Sequence, residues 1–218
     1  MDSNLIFALS LSIIFAAVIG VIRFNIIERS YYPFIYDIWL VIIVELLVHF
    51  AGRSVSANSI VNIFSIIDFL LFTWLFYNWS LFKRNKRLLY AFVLVFVAAW
   101  VILTFFIRGF QYNNWHFRLL YSFVMIFFSV SYFNKLVVGE RGNMLRNSKF
   151  LICLGLIFFY TFFTVVCATE LSFFGSKISD QFRVSLQKIN IFSNVFVNLL
   201  YALAVLWIPR KKTFTTVY

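Results

Sequence analysis

Apolar residues in this chain come in seven nearly unbroken runs separated by short polar gaps, with neither strict alternation nor a single apolar helical stripe. The runs cover 5–22, 33–51, 60–79, 88–107, 115–133, 150–169 and 190–208. Each is close to the roughly 20 residues a helix needs to cross a 30 Å hydrocarbon core. A membrane-spanning barrel would instead show segments of about ten residues with alternating polarity. The pattern predicts an all-α integral membrane protein, a seven-transmembrane-helix bundle forming a single transmembrane domain over residues 1–218. The second and fifth runs carry charged groups and are the least regular. Residues 1–4 hold no Lys or Arg, so the first run is not expected to be a cleavable signal peptide.

The gaps set the orientation. Arg23, Arg29, Lys83, Arg84, Lys86, Arg87, Lys135, Arg141, Arg146, Lys149, Arg210, Lys211 and Lys212 fall on one side, and Arg53, Arg108, Arg118, Lys177, Arg183 and Lys188 on the other. Basic residues in short loops are retained in the cytoplasm. The bias of 13 against 6 therefore predicts the N-terminus outside and the C-terminus cytoplasmic.

Composition agrees with lipid as the solvent. The chain is 63% hydrophobic, 22% aromatic and 12% charged, against about 25% charged in a soluble domain. A net charge of +11 would point to nucleic acid in a soluble protein. Here the basic groups sit between apolar runs, so the expected partner is the lipid bilayer and its anionic headgroups, with no nucleic acid. Cys153 and Cys167 lie roughly 21 Å apart on a continuous helix and cannot form a disulfide. The longest gaps, 134–149 and 170–189, leave no room for a soluble output domain. In the second of them Ile178, Phe182, Leu186 and Ile189 recur at helical spacing, which predicts an amphipathic turn lying at the interface or continuing into the last span.

Catalytic signatures are missing. The chain has no Gly-rich phosphate loop, no GxSxG, no HExxH and no CxxC, and the last run has no mid-span lysine for a retinal Schiff base. No enzymatic activity, cofactor or metal is expected; His49 and His116 alone do not make a ligand set. What remains is polar groups inside the runs. Glu45 on the second run lies roughly 9 Å below the outer end, with His49 one turn above it on the same face. Asp68 on the third run reaches a similar depth, so Glu45 and Asp68 are expected to face each other across neighbouring helices. An ionisable group in hydrocarbon is costly and seldom faces lipid. This pair either binds a ligand or pairs structurally with Arg53, His49 or each other. Asn190, Asn194 and Asn198 form a stripe that either lines a pocket or bridges helices. His116 and Arg118 mark the outer end of the fifth run. The inner half offers Asp37 as its one acidic group well within a span.

Polar lining confined to one half suits a pocket open to one side, whereas a transport path needs lining on both sides of the midplane. The expected function is a sensory or ligand-binding module with a pocket in the outer half. Its candidate site is Glu45, His49, Asp68, Asn194, Asn198, His116 and Arg118, and it signals to a separate cytoplasmic or membrane protein. The alternative is a small-solute or proton-coupled transporter using Glu45 and Asp68.

Three stretches carry a resemblance: Arg29-Ser-Tyr-Tyr-Pro-Phe-Ile-Tyr, Phe117-Arg118 with Tyr121-Ser122-Phe123, and the ending from Asn198 through Trp207-Ile208-Pro209. Across its whole length the chain resembles uncharacterised bacterial seven-span integral membrane proteins. The resemblance implies a multi-pass location in the bacterial inner membrane and brings no known activity.

Overall fold

A computed structural model describes residues 3–51, 55–82, 85–139, 144–171 and 179–211. Among these residues the chain is helical throughout, with no strand. Arg53, Lys83, Arg84, Arg141, Lys177, Ile178 and Lys212, which entered the charge and periodicity arguments, lie outside the described residues. The first run forms α1 (Ser3–Ser10), a tightened 3-10 turn at Leu11–Ile13, and α2 (Ile14–Arg23), with helical torsions kept at the junctions. The rest follow as α3 (Tyr32–Ala51), α4 (Val55–Asn78), α5 (Lys86–Val101), α6 (Trp115–Gly139), α7 (Ser148–Glu170) and α8 (Asp180–Trp207).

Most helices overrun their apolar runs because the start and stop signals sit in the polar gaps. Asn147 caps α7, its side-chain oxygen accepting from the Lys149 and Phe150 amides at 2.9 and 3.4 Å. Ser179 caps α8 by accepting from the Phe182 amide. The amphipathic segment therefore continues into the last helix instead of lying apart from it. Pro209 bars α geometry at Ile208, which is extended (ψ 128°), and so ends α8.

Among the described residues six helices are long and apolar enough to cross a membrane: Arg29–Ala51, Ala57–Asn78, Leu89–Ile107, Trp115–Gly139, Ser148–Glu170 and Gln181–Trp207. Phe7–Arg23 is a shorter apolar helix. Large apolar side chains cover the outer surface, Phe50 at 82% and Phe106 at 80% exposed among them. A soluble monomer rarely exposes contiguous apolar patches of this kind; hydrocarbon is the medium that suits them.

Helix α7 is the centre of the bundle, flanked by α6 and α8. Helices α3 and α4 pack as neighbours, α4 meets α6, and α2 lies along α8. Gly155 makes the α7–α8 contact close: the Tyr201 ring occupies the place a Cβ at 155 would take. Helix α5 sits at the periphery and turns into a π-helical segment at Ile102–Arg108, closed by Gly109 at φ 86°, a torsion that favours glycine. A buried knot ties this turn to α4. Asn62 donates to the Phe110 and Tyr112 carbonyls at 3.1 and 2.8 Å, while Asn114 donates to Thr104 at 2.8 Å and caps α6 through Phe117 N.

The bundle has two unlike ends. At the Arg23 end, the Arg23 guanidinium donates to the Val205 carbonyl at 2.6 Å, to the Ile208 carbonyl at 2.9 Å, and to the Leu206 carbonyl. These are the orphan acceptors of the α8 terminus. Ile27 and Arg210 form an isolated antiparallel bridge, with Glu28 N donating to Pro209 O and Lys211 N to Ile26 O at 3.0 and 2.8 Å. Just inside this end lies a dense aromatic group of Tyr31, Phe34, Phe76, Trp79, Phe128 and Tyr132, all buried. At the Glu170 end α3 and α7 finish and α4 and α6 begin.

Candidate functional site

Five helices, α3, α4, α6, α7 and α8, surround a cavity of about 270 Å³. Helical spacing places its polar groups. Asn190, Asn194 and Asn198 repeat every four residues on one face of α8, with Tyr201 one turn beyond. On α3 the same periodicity brings Asp37, Val41, Glu45 and Val48 to the cavity wall. Asp68 comes from α4, Arg118 and Tyr121 from α6, and Tyr160 from α7. The rim groups Glu45, Arg118 and Asn190 are half-buried, while the deep groups Asp37, Asp68, Tyr160 and Tyr201 are buried.

The deep part is an acidic floor. The Tyr160 hydroxyl donates to Asp68 Oδ2 at 2.6 Å, and the Tyr121 ring meets Tyr160 edge-on at 5.4 Å. The carboxyl groups of Asp37 and Asp68 are close enough to act on each other electrostatically. Asp37 Oδ1 is buried and has no hydrogen-bond partner among the described residues. Phe34, one turn along α3 from Asp37, meets Tyr201 edge-on at 5.0 Å, so the floor passes directly into the aromatic group beneath it. Above the floor the positive charge of Arg118 acts on Asp68. Its guanidinium stacks over Trp115 and Phe163 at 4.8 and 4.7 Å, which holds it in place against apolar faces.

The cavity brings together five of the seven residues singled out in the sequence: Glu45, Asp68, Arg118, Asn194 and Asn198. Within it the contacts differ from those expected. The acid that acts on Asp68 is Asp37, and Glu45 is instead 3.1 Å from the Ser10 hydroxyl of α1. Asn198 is buried and donates to Ser12 Oγ at 2.8 Å, so it bridges helices as well as lining the cavity. His49 is exposed, stacked on Phe7 at 3.8 Å, and does not line the cavity. His116 is half-buried at the start of α6 and is likewise outside the lining. Among the described residues no group of three or more His, Cys, Asp or Glu side chains is placed to hold a metal ion. Cys153 and Cys167 are buried and free.

Asp37, Tyr121, Tyr160 and Tyr201 were not in the sequence-derived site. The tyrosines carried a signal. In a chain with 31 Phe and 11 Tyr, a mid-run Tyr spends a hydroxyl that hydrocarbon cannot satisfy, so each such Tyr needs a polar partner.

Comparison with known proteins finds no matching family model, no matching curated protein and no matching solved structure. The fold itself defines a class: an all-helical protein with several helices able to cross a membrane, built as multi-pass membrane proteins are.

Proposed function

We propose that the protein is a ligand-binding sensory module of the bacterial inner membrane, a seven-span bundle that admits a solute from outside and reports to a separate cytoplasmic partner. In this reading the helix of Ser3 to Arg23 is the first span, the Glu170 end is outside and the Arg23 end is cytoplasmic. The basic bias of the gaps supports that orientation. One observation carries the functional reading: the cavity runs from a half-buried polar rim to a buried acidic floor and stops on packed aromatic rings. A dead-end pocket suits binding and signalling better than passage. The second reading, a proton-coupled carrier, is favoured by the closeness of the Asp37 and Asp68 carboxyl groups. It uses that pair in place of Glu45 and Asp68.

Single cysteines separate the two. In a background with Cys153 and Cys167 replaced by serine, Asn194→Cys should react with a membrane-impermeant thiol reagent added outside. Ala204→Cys, fully buried beyond the floor, should react from neither side. Labelling of Ala204→Cys from the cytoplasmic side would favour the carrier, since alternating access exposes the far half in turn. Failure of Asn194→Cys to label from outside would remove the pocket reading.

A further inference from the structure

From the chemistry of the cavity wall we infer that the ligand is an organic cation, a protonated amine on an apolar body. This rests on the pocket reading above and adds the ligand's class. Three carboxyl groups, Asp37, Glu45 and Asp68, line the space against one guanidinium, Arg118. That guanidinium is already held over two aromatic rings and beside Asn113, to which it donates at 3.4 Å. The acids are less satisfied. Asp37 is 4% exposed, it borders the cavity, and its Oδ1 lacks a partner among the described residues. A buried acceptor left unpaired is costly, and a charged donor is the group that relieves most of that cost.

Size and shape narrow the class. A volume of about 270 Å³ is many times the roughly 30 Å³ share of one water in the liquid. A bare metal ion would leave most of it unfilled, and the described residues offer no cluster of three ligating acids or imidazoles. Phe72 and Phe159 line the same cavity. Their faces attract an ammonium group and bury the hydrocarbon of its bearer. An ammonium at the floor would donate to Asp37. Asn190 and Asn194 would meet whatever polar group the far end of the ligand carries.

The test uses the full chain in lipid nanodiscs and three probes of one shape: 2-phenylethylammonium, neutral 2-phenylethanol and anionic 3-phenylpropionate. Saturable binding is read by calorimetric titration. The ammonium should bind at least about tenfold more tightly than the other two, the scale of one hydrogen bond to a charged group. Asp37→Asn should lose about tenfold or more of that affinity. Asp37→Glu should keep the preference for the ammonium, and Glu28→Gln, far from the cavity, should change nothing. Circular dichroism and elution profile confirm that each variant is folded. Equal binding of the alcohol, preference for the carboxylate, or no saturable binding of the ammonium would overturn the inference. If amine selectivity fails while Asn194→Cys still labels from outside, only the ligand class falls. If the labelling fails, the pocket falls with it.

Discussion

The two halves of the bundle solve the same problem in opposite ways. Near the Arg23 end the helices meet through aromatic faces: Phe76 contacts Trp79, Phe128 and Tyr132 within 5.7, 5.7 and 6.2 Å. From the Glu170 end the same helices part around a cavity that reaches as far as Asp37, nearer the Arg23 end, and turn acids, amides and a guanidinium into it. Lipid tails are as apolar as a leucine side chain, so apolar burial alone does little to hold helices together in a bilayer. The aromatic half compensates with dense van der Waals contact. The polar half gives up contact, and its helices are joined instead by single hydrogen bonds such as Asn198 to Ser12. Stability is concentrated in one half and chemistry in the other, as expected where a site must open or change occupancy.

Substitutions can test that division, and the effects should be graded. Phe76→Ala empties a fully buried aromatic position and should cost about 3–5 kcal/mol of folding stability. Reversible unfolding in mixed detergent would measure it; a loss under 1 kcal/mol would mean that the aromatic half is not the rigid one. Gly155→Ala comes next, because it sits where the two halves join. The added methyl must displace the Tyr201 ring, at about 1–3 kcal/mol. Since Tyr201 also lines the cavity, labelling of Asn194→Cys should slow in the same variant. A stability loss with unchanged labelling would show that the halves are independent. The smallest effect belongs to Asn198→Ala, which removes one inter-helix hydrogen bond for about 0.6 kcal/mol. A cost as large as that of Phe76→Ala would reverse the assignment of roles.

The helices were legible because the bilayer imposes one length on every span and leaves the backbone no alternative. The capping residues Asn147 and Ser179 explain why two of them start earlier than the apolar runs. The membership of the site was legible in part. Counting depth along each span placed Glu45 and Asp68 at one level, but that count began at the edge of each apolar run. Helix α4 starts at Val55, ahead of its run, so Asp68 lies 13 residues from that end (68−55), level with Asp37 at 14 residues from the end of α3 (51−37) and not with Glu45 at 6 (51−45). His49 stands one turn from Glu45 yet stacks on Phe7, a contact set by where α1 lies, which spacing within α3 does not encode. Spacing does not mark the cavity tyrosines, because their partners are distant in sequence: 92 residues separate Tyr160 from Asp68.

Arg23 and the bridge beside it have a mechanical consequence. Helix α8 carries five cavity residues, Asn190, Asn194, Val197, Asn198 and Tyr201, and its far terminus is gripped by Arg23. Past Pro209 the chain is fastened to the loop between α2 and α3 by backbone bonds at both Glu28 and Lys211. The end of α8, the end of α2 and the segment leaving at Lys211 are therefore tied to one another. Under the sensory reading proposed above, a solute that shifts α8 at the cavity would move Arg210 and Lys211 with it.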